Sequence, residues 1–153
     1  MGFASVLLPL AVCGCETPGF TDITSEQVFY SQIRRTDRPV LMYFYKPGCP
    51  TCVALEPGLM QLARDYGGHV AFDKFLFIYP WFEINSLNVA HDFNVLLVPT
   101  VILFVDGRER YRWFSDYYMP DYTSVLDQVL AERAQRNAQK ALAGKNPATR
   151  PAS

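Results

Sequence analysis

The sequence has no excess of charge of either sign. Its 14 lysines and arginines are balanced by 15 aspartates and glutamates, which gives a formal net charge of −1 over 153 residues. A nucleic-acid-binding chain needs a clustered excess of basic residues to neutralise phosphates, so we expect no nucleic-acid partner. Half of the residues are hydrophobic and 14% are aromatic. That composition excludes a disordered chain and is sufficient for one domain with its own core.

Long hydrophobic runs are also missing. The first fifteen residues, MGFASVLLPLAVCGC, are apolar, but a membrane-spanning helix needs about 20 such residues. The run has the length of the hydrophobic region of a secretory signal, and its end, Val12-Cys13-Gly14-Cys15, resembles the bacterial lipobox. We therefore predict that residues 1–15 are a signal peptide or lipoprotein signal. The lipobox resemblance implies that Cys15 carries a lipid that attaches the protein to a membrane. The expected location is the periplasm or a membrane surface after export, and the alternative is the cytoplasm.

Cysteine and histidine are scarce. The four cysteines fall in two pairs, Cys13/Cys15 and Cys49/Cys52, which is too few for the disulfide framework of a small secreted scaffold. A closed structural zinc site needs four ligands. The two histidines have no ligand-like spacing to each other or to the cysteines, so we expect no metal site.

The pair Cys49 and Cys52 lies between an apolar run and a helical pattern. As a structural clip, a disulfide that closes so short a loop restricts the unfolded chain very little. As a redox pair, the spacing has a physical reason. The first cysteine would lie at a helix N-terminus, where unpaired N–H groups and the helix dipole favour a thiolate. The second would lie one turn further in, close enough to attack a mixed disulfide. Pro50 suits the first helical position, and we favour the redox interpretation.

Apolar periodicity and turn residues predict an α/β domain at residues 23–143, after a linker at 16–22 and before a disordered tail at 144–153. The order is helix, strand, helix, strand, helix, hairpin and helix, which indicates a mixed sheet. The predicted elements are a helix capped by Thr24 that ends before Pro39, strand Val40–Tyr45, a helix from Pro50 to Gly67, strand Val70–Ile78, a short helix Asn85–Phe93, hairpin strands Pro99–Val105 and Arg110–Phe114, and a helix from Tyr122 to about Leu142.

Four landmarks in this order resemble the thioredoxin-like superfamily. They are the strand VLMYFY running into CPTC, Pro57 five residues after Cys52, the stretch ending in Val98-Pro99-Thr100, and the strand and turn at residues 101–107. The resemblance covers Ser25 to Ala134. It implies a thioredoxin fold, with a central mixed β-sheet flanked by helices.

The resemblance also implies roles for individual residues. Cys49 would be the nucleophile and Cys52 the resolving thiol. Pro99 would form a cis peptide bond facing the cysteines, and Val98 would offer its backbone to an extended substrate segment. The implied activity is thiol–disulfide exchange with cysteines of other proteins, without a metal or organic cofactor. A redox partner would have to reset the cysteine pair, and we expect a monomer.

The sequence departs from the family pattern at position 43, in the strand that precedes the cysteines. Thioredoxins have a buried aspartate six residues before the first cysteine, where it assists proton transfer, and Tyr43 occupies that position here. Proton transfer would then depend on water, the Tyr43 hydroxyl, or a group such as Lys46 or Glu56. The other interpretation of Tyr43 is a plain core residue.

Further departures concern the surroundings of the first cysteine. Gly48 replaces a tryptophan and would leave the approach open, and Pro50-Thr51 replaces the usual Gly-Pro dipeptide. Additional residues around Trp81 predict an aromatic loop near the cysteines, which would bind a partner or fold back on the core. We therefore add Gly48, Pro50 and Trp81 to the predicted substrate surface.

Two alternatives to a general oxidoreductase remain. One is a non-catalytic binding or assembly module with a thioredoxin fold, which would use the Val98–Pro99 surface and the aromatic loop. The other is a thiol reductant dedicated to the maturation of metal or haem proteins.

Overall fold

The computed structural model of the protein describes residues 19–35, 37–81 and 83–144. The predicted signal with Cys15 and the tail after Gly144 lie outside the described residues. Within those residues, no helix combines the length and the apolar character needed to span a bilayer.

The predicted α/β architecture is confirmed. In the described residues, five strands form one mixed sheet with helices on both faces. Numbered along the chain, the strands lie side by side in the order 1, 3, 2, 4, 5. In chain order the elements are β1 (Thr21–Ile23), α1 (Glu26–Ile33), β2 (Val40–Tyr45), α2 (Pro50–Tyr66), β3 (Ala71–Leu76), α3 (Leu87–Asp92), β4 (Thr100–Val105), β5 (Arg108–Phe114) and α4 (Met119–Gly144).

The strand directions bring three chain segments to one edge of the sheet. β1 and β2 run parallel to β3 on either side of it. β4 runs antiparallel to β2, with Thr100 paired to Phe44, and β5 returns antiparallel to β4. The end of β2, the end of β3 and the start of β4 therefore lie at the same edge.

The apolar run of β2 is explained by burial on both faces. Leu41 and Tyr43 pack in one cluster with side chains of α2 and α4, whereas Met42 and Phe44 pack in a second cluster with side chains of α1 and α3. Because successive side chains of a strand point to opposite faces, a strand covered on both faces has to be apolar at nearly every position.

Several boundaries differ from the sequence expectations, three of them at the start of an element. The sheet begins inside the predicted linker, because Thr21 pairs with Asp73 and so adds β1 to the edge of β3. Ser25 rather than Thr24 caps α1, because its hydroxyl oxygen accepts a hydrogen bond from the Val28 N–H at 3.3 Å. α4 begins earlier than predicted, and its first residue Met119 packs at Gly58, where a Cβ would lie only 2.6 Å from the methionine sulfur.

A buried carboxylate lies in the middle of the sheet. Asp73 on β3 is only 2% exposed, and its Oδ2 has no hydrogen-bond partner among the described residues. Burial raises the pKa of Asp73 to about 6, against the opposing effects of Arg35, of a hydrogen bond with Thr21 and of Arg38. At neutral pH the fold therefore contains a charge that its surroundings compensate only in part.

Asp73→Asn should stabilise the protein at pH 8 but not at pH 4. A carboxyl group with a raised pKa in the folded state binds more protons folded than unfolded, so the free energy of unfolding falls as the pH rises from about 4 to about 6. A shift of about two pH units corresponds to roughly 3 kcal/mol. Urea denaturation of both proteins at the two pH values measures the difference. The exposed Asp65→Asn on α2 is the control and should show no comparable change. An Asp73→Asn variant that is less stable at pH 8 would contradict the assignment.

Candidate functional site at the N-terminus of the second helix

The chain reverses sharply between β2 and α2. Gly48 has a backbone φ of +71°, a conformation that glycine adopts without steric cost. A Cβ at Gly48 would meet no atom within 4 Å, so the space beside the next residue is open. The open approach to Cys49 predicted from the missing tryptophan stays a prediction.

The two cysteines occupy opposite environments at the start of α2. Cys49 is the N-cap residue and is partly exposed, and Pro50 begins the helix after it. Cys52 is 3% exposed and packs in the core cluster on the α2 side of the sheet. The Cys49 Sγ accepts a hydrogen bond from the Cys52 backbone N–H at 3.4 Å and lies 3.1 Å from the Thr51 hydroxyl. Both cysteines are free thiols in this structure.

These environments shift the two thiols in opposite directions. Burial opposes ionisation of Cys49, but hydrogen bonds from Cys52 and Thr51 outweigh it and hold the pKa of Cys49 below its usual value. Burial, followed by the hydrogen bond to Cys49, raises the pKa of Cys52 to about 11. The accessible Cys49 thiol therefore ionises more readily than an ordinary thiol, while the buried Cys52 thiol stays protonated.

Pro99 lies at the same edge of the sheet as the cysteines. The Val98–Pro99 peptide bond is cis, as the resemblance implies. β4 begins at the next residue, opposite Phe44 near the end of β2. Val98 packs against both core clusters, including the one that contains Cys52.

Two exposed leucines extend this edge and were not among the sequence predictions. Leu96 and Leu97 directly precede Val98, and their exposed fractions are 74% and 59%. They line a cavity of about 330 Å³ together with Phe114 and Arg112. Their position before the cis proline was the available sequence signal.

Tyr117 also contacts the first turn of α2. Its hydroxyl donates a hydrogen bond to the Thr51 carbonyl oxygen at 3.3 Å, from the segment between β5 and α4. Nothing in the local pattern of β5 indicates that the following segment passes over the N-terminus of α2.

Trp81 lies on the loop that leaves the end of β3. Its ring stacks on Tyr79 with a centroid separation of 4.7 Å, and its Nε1–H donates to Glu83 at 2.8 Å. The side chain is 65% exposed. Its substrate role stays a prediction, because these contacts are made within its own loop.

Tyr43 lies directly below the cysteine pair. Its side chain is 1% exposed, and its hydroxyl donates a hydrogen bond to the Cys52 carbonyl oxygen at 3.1 Å. Tyr43 is therefore a core residue whose polar end contacts the site. Within the described residues, no group of three or more His, Cys, Asp or Glu side chains could hold a metal ion.

Comparisons with known proteins agree with this geometry. The thioredoxin family model matches residues 20–117. Protein disulfide-isomerase A5 of Mus musculus is 33% identical over 97 residues, covering 61% of this chain and 18% of that protein. The chloroplastic thioredoxin M4 of Arabidopsis thaliana is 34% identical over 89 residues, covering 56% of this chain and 42% of that protein. This chain thus spans less than half the length of either relative.

Solved structures show the same fold. The thioredoxin of Trypanosoma brucei brucei superimposes with a TM-score of 0.63 at 19% identity, covering 77% of this chain and 96% of that one. The thioredoxin of Malassezia sympodialis gives a TM-score of 0.59 at 18% identity, covering 72% and 90%. Because the family model spans both cysteines and the cis proline, this chain belongs to the thioredoxin family.

Proposed function

We propose that this protein is a thiol–disulfide oxidoreductase that acts on cysteines of other proteins through Cys49 and Cys52. The observation that supports it most directly is the opposite tuning of two adjacent thiols. The pKa of the accessible Cys49 is lowered, while burial raises that of Cys52. A structural disulfide needs no such difference, whereas sequential attack by two thiols does.

The reaction follows from this difference. The Cys49 thiolate attacks one sulfur of a client disulfide and forms a mixed disulfide, and the second client sulfur leaves and takes a proton from solvent. Cys52 then loses its proton and attacks the Cys49 sulfur. The Cys49–Cys52 disulfide forms, and the first client sulfur leaves as a thiolate that is protonated in turn. The cysteine pair supplies the two electrons that the client gains, and solvent supplies the two protons after taking up the proton that Cys52 releases. The reverse sequence oxidises a client dithiol.

The surroundings of Cys49 suit an extended protein segment. The cis Val98–Pro99 bond lies at the same edge of the sheet as the cysteine pair, and Leu96 and Leu97 are exposed on the segment before it. In our proposal the backbone of Val98 pairs with the client segment as an added strand. Trp81 would contact the client from the neighbouring loop. No cofactor takes part, and a second redox protein resets the cysteine pair.

The reduction potential of the pair decides the direction of electron flow. Equilibration with glutathione measures it. A value near roughly −270 mV would mean that the protein reduces clients, and one near roughly −120 mV that it oxidises them.

Cys52→Ser should trap client proteins as mixed disulfides. Without the second thiol the Cys49–client bond cannot be resolved, so adducts should accumulate that dithiothreitol releases. Non-reducing electrophoresis and mass spectrometry of the adducts measure this. Cys49→Ser is the matched control and should trap nothing. A Cys52→Ser protein without adducts would favour the non-catalytic binding module.

Thr51→Val should raise the pKa of Cys49. The Thr51 hydroxyl is 3.1 Å from the Cys49 Sγ and can donate to the thiolate, so its loss should move the midpoint of the pH profile up by as much as about one pH unit. The rate of iodoacetamide alkylation as a function of pH measures the midpoint. Thr51→Ser keeps the hydroxyl and should restore the original profile. An unchanged midpoint in Thr51→Val would show that this contact does not stabilise the thiolate.

We also propose that residues 1–15 direct export and that Cys15 becomes the lipidated mature N-terminus. The apolar run and the lipobox-like sequence support this. Mass spectrometry of the protein isolated from its own cells should find a chain that begins at a diacylated Cys15. A chain that retains residues 1–15 would contradict the proposal.

A further inference from the structure

Among the described residues the one buried charged side chain is Asp73, which lies on the opposite face of the sheet from Cys52. Cys52 is buried, and its pKa of about 11 leaves it almost entirely protonated at neutral pH. Only the thiolate attacks a mixed disulfide. The polar side chain that approaches Cys52 from the sheet is Tyr43.

We propose that Tyr43 is a positioning residue that donates a hydrogen bond to the Cys52 thiolate and never accepts the Cys52 proton. This inference rests on the proposed function, because it concerns the resolution of the mixed disulfide. It assigns a role to the residue at which this sequence departs from the family pattern.

Three contacts hold the Tyr43 side chain in place, one through its hydroxyl and two through its ring. It donates a hydrogen bond to the Cys52 carbonyl oxygen at 3.1 Å, and it also interacts electrostatically with the Cys52 side chain. Its ring stacks on Tyr45 with a centroid distance of 5.7 Å and meets the edge of Phe20 at 6.0 Å. The hydroxyl therefore lies beside the residue that carries the sulfur, and in our proposal its hydrogen bond passes from the carbonyl oxygen to the sulfur when Cys52 ionises.

The choice depends on the charge of the sulfur. A phenol has one hydrogen to donate. While Cys52 is a thiol, the carbonyl oxygen is the better acceptor. Once Cys52 ionises, the hydrogen bond to the charged sulfur is the stronger one. The hydrogen bond from Tyr43 lowers the pKa of Cys52, in addition to the larger lowering effect of a hydrogen bond with the Lys46 backbone and against the larger opposing effects of burial and of Cys49.

Tyr43 keeps its own proton, so it can donate a hydrogen bond but cannot take up the proton of Cys52. Burial, followed by the Cys52 and Glu56 charges, raises the pKa of the Tyr43 hydroxyl far above its usual value. The hydroxyl keeps its proton throughout, so the proton of Cys52 goes to solvent water or hydroxide.

The charged groups around this contact lie at the edge of the core. The titratable groups facing it are Cys49 and Glu56 on α2, Tyr45 on β2, Lys74 on β3, Asp22 on β1 and Tyr122 on α4. The Lys74 ammonium is 3.4 Å from Asp22 and 3.9 Å from Glu56. These two carboxylates therefore already have a cationic partner outside the Tyr43–Cys52 contact.

Resolution of a mixed disulfide can be followed directly with a chromogenic disulfide, dithiobis(nitrobenzoate). Cys49 attacks it and releases one thionitrobenzoate in a concentration-dependent first phase. Cys52 then attacks the Cys49 sulfur and releases the second thionitrobenzoate in a concentration-independent second phase. The rate of the second phase against pH should show a single inflection, that of the Cys52 thiol.

Tyr43→Phe should move that inflection up by about one pH unit, since it removes a hydrogen bond to a charged group. The thiolate fraction then falls about tenfold at neutral pH. The higher intrinsic nucleophilicity of the more basic thiolate restores about threefold, so the second phase should slow about threefold. The first phase should be unchanged. Tyr45→Phe removes a hydroxyl from the same face of β2 and is the matched control, for which both phases should stay as in the wild type.

The outcomes separate the two proposals. If the first phase is absent in the wild type, the proposed function fails. If both phases occur but Tyr43→Phe leaves the second inflection in place, the inference alone is overturned. The wild-type profile gives a test that does not depend on the folding of any variant. A second inflection below pH 8 in the resolution phase would reveal an acid–base residue that accepts the Cys52 proton, and would overturn the role given to Tyr43.

Discussion

The N-terminus of α2 imposes the constraint on which the site depends. Two thiols three residues apart begin one helix, and a single turn takes the chain from the partly exposed Cys49 to the buried Cys52. The unpaired N–H groups of the first turn point toward Cys49 and favour its negative charge. The same turn directs Cys52 into the core, where charge is disfavoured. Their chemical difference is therefore a consequence of helix geometry and of where the helix meets the sheet.

The sheet supplies the rest of the site through its mixed topology. Since β2 and β3 are parallel, their ends meet at one edge, and since β4 is antiparallel to β2, its start meets them there. The cysteine pair, the Trp81 loop and the Val98–Pro99 bond come from separate parts of the chain. β2 is packed on both faces, since every residue from Val40 to Phe44 is buried, and this packing holds the edge of the sheet in place.

Sequence reasoning predicted the features with strong local signals. The continuous apolar run of β2, the CxxC before a helix and the proline before β4 each have few structural interpretations. It failed where the signal was short or came from distant parts of the chain. A strand of three residues such as β1 has too little periodicity to be recognised, and its pairing with β3 supplies its hydrogen bonds. The contact of Tyr117 with Thr51 joins residues far apart in sequence, so no local pattern could indicate it.

The buried carboxylate of this fold is separated from the thiols by the sheet itself. Asp73 pairs with Met42, whose side chain belongs to the cluster of α1 and α3. Tyr43 and Cys52 pack on the other face. Because strand side chains alternate between faces, a shift of one residue along β3 would be needed to bring that carboxylate toward the cysteines. Asp73 therefore affects how stability depends on pH in the acid range, whereas Cys52 ionises in the alkaline range under the influence of Tyr43. With acid–base chemistry divided in this way, a tyrosine below the resolving thiol leaves proton transfer to solvent and contributes only its hydrogen bond.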